Sequence, residues 1–240
     1  MKPSTVQKGS SGIVYDADAL PDVDDALFDV ARWRASDALE GSAPGRGTSW
    51  FIESPAGPAV LRRYLRGGMV ARFNRDRYLF RGFKASRPFR EFDVLRRMAE
   101  DGLPVPAPLA ALCERDGAFY RAALLTRRIA PARALPDHFA DTDFDWRKLG
   151  RELGDLFAAG MNHADLNARN ILIHGETNAG WVIDLDASRY TPESPVVGTR
   201  QLARLKRSLD KLWPTGADRG DPPAVTLAEA WQQLLEGANS

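Results

Sequence analysis

Two short apolar runs, residues 171–173 and 181–185, flank a turn segment at 175–180 and carry polar residues at their outer ends. Ahead of the first stands His163-Ala164-Asp165-Leu166-Asn167-Ala168-Arg169-Asn170, and the second contains Asp184 and Asp186. Such a pattern reads as a β-hairpin whose strands enter a core. Asp184 follows Trp181, Val182 and Ile183, so its carboxylate belongs where a buried strand edge meets solvent. Two aspartates and an asparagine therefore converge. Phosphoryl transfer asks for that donor set: a carboxylate that orients an attacking hydroxyl and takes its proton, and separate oxygen ligands that hold Mg2+ against nucleotide phosphates. On this reading Asp165 is the base, and Asn170 and Asp184 are the metal ligands.

The rest of the chain supplies the scaffold. Residues 48–54 and 59–65 read as strands around a turn at Pro55 to Pro58. Pro88 opens a helix with Phe92, Leu95, Met98 and Ala99 on one face, and Gly102 stops it. Apolar runs at 110–113 and 119–125 flank Asp116-Gly117, a strong hairpin signal. After breaks at Pro131 and Pro136, Leu149, Leu153, Leu156 and Phe157 recur at helical spacing behind the capping candidates Asp143 and Asp145. Leu202, Leu205, Leu209 and Leu212 form a further stripe, and Thr226 with Glu229 makes a capping box before Trp231, Leu234 and Leu235. Residues 1–40 show no clear period before 27–33 and are expected to be a leader plus one helix. The class is α+β: a strand-rich segment over 41–130, then a mainly helical one over 131–240.

A chain of 240 residues buries roughly 70% of its unfolded surface, so it folds without disulfide or metal staples. The lone cysteine, Cys113, forbids an intramolecular disulfide, fits a reducing compartment and reads as a small buried hydrophobe in a strand. No Cys/His cluster has zinc spacing, and His138 and His174 read as surface residues. No apolar run reaches the length of about 18 residues that a spanning helix needs, and no cationic-then-apolar leader opens the chain. The expectation is a cytoplasmic protein, soluble or held at a membrane surface. The formal charge of +1 conceals an asymmetry: residues 62–90 carry ten Arg and Lys against one acid, Asp76. Six aromatics are interleaved there (Tyr64, Phe73, Tyr78, Phe80, Phe83 and Phe89), a mixture that favours anionic partners.

The segment around Asp165 resembles the protein-kinase catalytic loop and metal-binding Asp motif in the variant used by small-molecule kinases. His-Ala-Asp-Leu-Asn-Ala-x-Asn-Ile-Leu, with Ile-Asp-Leu-Asp after it, is most similar to the lipopolysaccharide core kinases, and among them to the 3-deoxy-D-manno-octulosonic acid (Kdo) kinases. The resemblance also takes in Gly45-Arg46-Gly47-Thr48-Ser49-Trp50-Phe51, Asp76-Arg77-Tyr78-Leu79-Phe80 and Phe89-Arg90-Glu91-Phe92. It implies a two-lobed protein-kinase-like fold with its boundary near residues 126–136, ATP and Mg2+ as cofactors, and Kdo-lipid A as acceptor. It also implies a peripheral enzyme on the anionic cytoplasmic face of the bacterial inner membrane. There the basic run, its aromatics and the cations Arg204, Arg207 and Lys211 would meet lipid.

Position by position, Gly45 and Gly47 fall in the loop over the nucleotide phosphates. Arg62 stands where protein kinases place the phosphate-anchoring Lys, and Glu91 is its partner on the following helix. A first-turn acid favoured by the helix dipole is the other account of Glu91. Residues 125–129 fall where the lobes join and adenine binds. His163 supports the loop, and Asn167 sits beside the base, where it would contact acceptor or γ-phosphate. The pattern departs from protein kinases in several places. Trp50 stands where a third loop glycine would be, Arg62 replaces Lys, Ala164 replaces Arg, Asp186 replaces Gly, and no Ala-Pro-Glu follows. These changes point to an unregulated kinase of a small acceptor. Aminoglycoside- or choline-type kinases share the core, and a kinase-like binder of anionic polymers without catalysis is the other alternative. A nucleic-acid-binding module would leave residues 163–186 unexplained, so no nucleic acid partner is expected.

Overall fold

The computed structural model describes residues 1–42, 49–64, 77–192, 194–214 and 223–240. Gly45 and Gly47, and within the basic run Arg66, Arg72, Phe73 and Arg75, lie outside the described residues. The chain divides into two compact units, one made of residues 1–101 and 106–128, the other of 102–105 and 129–240.

The first unit is built on an antiparallel sheet. Its elements are β1 (Pro3–Lys8), β2 (Ser11–Asp16), α1 (Val30–Ala35), β3 (Leu39–Ser42), β4 (Ser49–Ser54), β5 (Gly57–Arg63), β6 (Tyr78–Leu79), α2 (Arg87–Glu100), β7 (Pro108–Asp116) and β8 (Phe119–Arg127). The strand order is β1-β2-β7-β8-β5-β4-β3, with β6 also paired to β8. The expected hairpin at Asp116-Gly117 forms as β7 and β8, pairing Asp116 with Phe119. One feature of the opening residues differs from the expected leader and helix: residues 3–16 are a hairpin, and β2 pairs with β7. Its apolar signal is weak because β1 is an edge strand exposed along most of its length, and Gly12 interrupts β2 where a Cβ would meet the Phe83 ring.

Alternation along a strand sends successive side chains to opposite faces. In β5, Ala59 and Leu61 enter a core with Ile13, Leu27, Phe28, Trp33, Ile52 and Leu125. Arg62 therefore points to the other face. There α2 turns inward Pro88, Phe89, Glu91, Phe92, Leu95 and Met98, a helical stripe in which the one carboxylate is buried with the apolar residues. Three aromatics of the basic run belong to this interior. Tyr64, Tyr78 and Phe89 are buried, which corrects the expectation that they sit among lipid headgroups. Tyr78 packs on Tyr120, and Phe83 on Phe89.

The second unit contains β9 (Ala132–Ala134), α3 (Trp146–Ala158), β10 (Met161–Asn162), β11 (Ile171–His174), β12 (Gly180–Val182), β13 (Arg189–Tyr190), α4 (Thr199–Leu212) and α5 (Leu227–Ala238). Of the two capping candidates the structure uses Asp145, whose side chain accepts from Lys148 N at 2.8 Å. The Thr226–Glu229 capping box forms as expected. Helices α3 and α5 approach through glycines: a Cβ on Gly150 would run into the Leu234 carbonyl, and one on Gly237 into that of Arg147. His138, expected on the surface, is 5% exposed. Its Nδ1 lies 2.7 Å from Asp141 Oδ2 and its ring packs on Phe144, while Nε2 is buried without a hydrogen-bond partner among the described residues.

Candidate active site

Strands β12, β11 and β9 form a small antiparallel sheet, in which Ile171 pairs with Val182 and Leu172 with Ala134. Ile171 and Ile173 are buried, so this sheet fixes where the loop of residues 163–170 emerges. The return strand is shorter than the sequence pattern implies. It ends at Val182, and residues 183–185 are not strand. The reason lies in the bonds of Ile183: its N–H goes to the Asn170 carbonyl at 3.0 Å, and its carbonyl faces His163 Nε2 at 3.1 Å. Asp184 then turns with φ of 60°, a left-handed conformation that aspartate adopts more readily than most residues. Its side chain is exposed.

His163 is the strut of the loop. It is 2% exposed, and its Nδ1 accepts the Asp165 N–H at 3.0 Å while Nε2 points at the Ile183 carbonyl. Nδ1 is therefore the unprotonated nitrogen and Nε2–H the donor. Burial lowers its pKa, against the opposing pull of the Ile183 carbonyl and of Asp184 and Asp165, so the ring favours the neutral form this pairing needs. One imidazole thus ties the backbone at Asp165 to the residue before Asp184.

The amides complete the loop. Asn170 Nδ2 donates to the Asp165 carbonyl at 3.0 Å, which leaves Asn170 Oδ1 as an oxygen ligand. Asn167 Oδ1 accepts from Arg169 N at 3.0 Å, and its Nδ2 lies 3.1 Å from Asp165 O and 3.4 Å from Asp165 Oδ2. The Asp165 side chain itself is 67% exposed. Asn170 and Asp184 offer hard oxygen donors, which fits Mg2+, an ion that keeps several waters and takes phosphate oxygens beside one or two protein ligands. Among the described residues no group of three or more His, Cys, Asp or Glu is placed to form a complete metal cage.

In the first unit, Arg62 Nη2 lies 2.6 Å from both carboxylate oxygens of Glu91, and the Tyr64 hydroxyl donates to Oε2 of the same group. The Glu91 side chain is 1% exposed and that of Arg62 22%. Helix α2 begins at Arg87 and has no acid in its first turn, so Glu91 is an ion-pair partner and not a dipole-compensating acid. The Arg62 Cζ lies 4.6 Å from the Tyr64 ring centroid, a cation–π contact that further fixes the guanidinium.

Sequence reasoning missed the contribution of α4. Arg204, expected among the membrane-facing cations, donates through Nη1 to the Ala164 carbonyl and lies 3.4 Å from Asp165 Oδ1. Ser208 Oγ accepts from Ala168 N at 3.1 Å, and Ser188 Oγ from Ala164 N at 3.0 Å. The available signal was a polar pair, Gln201 and Ser208, bordering an otherwise apolar helix stripe.

The profile of the Lipopolysaccharide kinase (Kdo/WaaP) family matches residues 30–236. The sequence is 43% identical over 216 residues to a 3-deoxy-D-manno-octulosonic acid kinase of Xanthomonas campestris pv. campestris strain B100, covering 88% of this chain and 85% of that one. It is 41% identical over 214 residues to a protein of the same name from Stenotrophomonas maltophilia strain R551-3, with the same coverage. Among solved structures, WaaP in complex with acyl carrier protein matches with a TM-score of 0.48 and 17% identity, covering 85% of this chain and 81% of that one.

Proposed function

The chain belongs to the lipopolysaccharide kinase (Kdo/WaaP) family, and on that footing we propose that it transfers the γ-phosphate of ATP to a hydroxyl of Kdo on Kdo-lipid A. The observation that carries this reading is the single hydrogen-bonded unit formed by Asp165, Asn170 and the backbone before Asp184, with His163 at its centre.

Asp165 orients the acceptor hydroxyl and takes its proton as the oxygen attacks the γ-phosphorus, while the bond to the β,γ-bridging oxygen breaks and ADP leaves. Asn170 and Asp184 hold Mg2+, which when bound neutralises charge on the phosphate oxygens. Arg62, kept in place by Glu91 and Tyr64, anchors the nucleotide phosphates with a planar fork where a lysine would supply a point charge. Asn167 keeps the Asp165 side chain oriented and His163 keeps the loop in register. Gly45 and Gly47 admit the backbone to the phosphates.

The enzyme acts as a peripheral protein at the anionic cytoplasmic face of the inner membrane. Support for this comes from the net +9 of residues 62–90 and from the absence, among the described residues, of any helix long and apolar enough to cross a bilayer. Each basic residue near such a surface contributes about 1 kcal/mol of attraction.

The test is ADP release from MgATP with and without Kdo-lipid A, for the native protein and for Asp165→Asn and Asp184→Ala. Turnover that requires Kdo and falls by roughly 10²–10⁴ in Asp165→Asn, with nucleotide affinity retained, is the expected result. ADP release indifferent to Kdo would overturn the acceptor assignment, and unchanged turnover in Asp165→Asn would overturn the base assignment.

A further inference from the structure

Helix α4 runs beside the catalytic loop and meets it at three points. Gln201 Nε2 donates to Met161 O at 3.2 Å, Arg204 Nη1 donates to Ala164 O, and Ser208 Oγ accepts from Ala168 N at 3.1 Å. Each contact joins residues forty apart, so the loop and one face of the helix keep a common register. Gln201 and Ser208 are short and suffice to fix that register. Arg204 differs in reach and exposure. Its side chain is 45% exposed, and its contacts with the loop use Nη1 alone. A guanidinium carries five N–H donors in a planar fork. Nη2 and Nε of Arg204 are thus free of protein acceptors among the described residues.

The surroundings are cationic. Arg200 and Arg207, four residues before and three after, share the exposed side of α4 with Arg204. Beside them Asp165 presents a carboxylate that has to approach the acceptor's hydroxyl. An acceptor that is itself a carboxylic acid brings a second negative charge to the same place, and the two carboxylates repel unless a cation stands between them. Arg204 stands there already, with one nitrogen on the base and a free edge turned to solvent.

We propose that Arg204 is the acceptor-binding residue for a sugar carboxylate: its free edge forms a two-bonded pair with the acid group, and its Nη1 keeps Asp165 in place for the neighbouring hydroxyl. The inference rests on the kinase reading of the Asp165 loop and adds to it the group by which the acceptor is recognised. Arg pairs bidentately with carboxylates, and an uncharged ester offers neither the charge nor the second strong acceptor.

The experiment compares Kdo-lipid A with its Kdo methyl ester, presented in detergent micelles, by equilibrium binding and by ADP release. The full-length native protein is measured beside Arg204→Gln, and beside Arg147→Gln, which removes a cation on α3. The native protein is expected to bind the acid about tenfold to a hundredfold more tightly than the ester, as the loss of a charged hydrogen-bonding partner requires. Arg204→Gln brings the two affinities together, and Arg147→Gln leaves the preference intact. A native protein that binds acid and ester alike overturns the proposal, whether or not the variant folds. So does an Arg204→Gln variant whose kcat falls equally for both ligands while the binding preference persists, the behaviour of a residue that only braces the loop. Acid-selective binding lost in Arg204→Gln without Kdo-dependent ADP release sustains the carboxylate site and rejects the proposed transfer to Kdo.

Discussion

Replacing Glu91 by Ala isolates the contribution of the Arg62 pair. The carboxylate is 1% exposed, sits on the core-facing stripe of α2, and is met by Arg62 Nη2 at 2.6 Å and by the Tyr64 hydroxyl. Truncation removes the charge that compensates a guanidinium of which only 22% is exposed. Breaking a buried pair from one side costs about 3–5 kcal/mol, and the partial exposure of Arg62 argues for the lower end, near 3 kcal/mol. Tyr64→Phe removes one hydrogen bond to a charged acceptor and leaves the pair, a loss of about 1.5 kcal/mol. Glu91→Gln falls between them, since its amide oxygen still accepts. Urea unfolding gives the order, and hydrogen exchange locates it: peptides covering 57–63 and 87–100 exchange faster, whereas those covering 146–158, in the other unit, do not. A solvated helix acid would be worth no more than about 1 kcal/mol. A Glu91→Ala loss below that value, or a Tyr64→Phe loss larger than the Glu91→Ala loss, refutes the buried-pair argument.

Three further outcomes follow from burial and close packing. Burial holds the pKa of His163 below its ordinary value of about 6.5, so the unfolded chain takes up the proton first on acidification. The stability it contributes is present above that pH and is lost as pH falls through the folded-state value. The urea-midpoint difference between native protein and His163→Gln therefore narrows from pH 8 towards pH 5, and a widening difference would contradict the neutral strut. Cys113 is fully buried, and burial pushes its thiol up to about 11, against a lowering contact from Ser86. It should stay unmodified by a disulfide reagent at pH 8 in the native state and react on unfolding. Gly150→Ala forces a methyl group against the Leu234 carbonyl, so thermal unfolding should show a loss of about 1–3 kcal/mol. An unchanged melting temperature would mean that α3 and α5 separate freely.

What the sequence discloses depends on how locally each feature is determined. The interval from Asp165 to Asn170 is fixed by a few backbone torsions and one amide, so the motif spacing already contains the geometry. The β7–β8 hairpin and the caps at Asp145 and Thr226 are equally local. The β1–β2 hairpin is less so. Thr5 and Val6 pair with Val14 and Ile13 across a turn at Gly9, but an exposed edge strand has no apolar alternation, and the hairpin's place is set by the pairing of β2 with β7. The same reason explains why Tyr64, Tyr78 and Phe89, expected among lipid headgroups, are buried instead. Composition cannot tell a ring aimed at lipid from one aimed at a core, and Tyr64, Tyr78 and Phe89 are committed by the strand and helix faces that carry them.

The site sharpens that distinction, because its missing members are those whose position depends on packing. Ile183 continues an apolar run that predicts strand through residue 185, yet its backbone groups are claimed by Asn170 and His163, and the chain turns at Asp184. Arg204 lies thirty-nine residues from Asp165, and no local rule relates them. What brings them together is the burial of Leu205 and Leu209, which rotates α4 until Gln201, Arg204 and Ser208 all face the loop. A helix stripe that pairs leucines with Gln and Ser at the same face already signals a polar surface to be satisfied. In this chain the backbone that this surface bonds belongs to the loop that carries the base, so the core residues of α4 determine where the active-site cation stands.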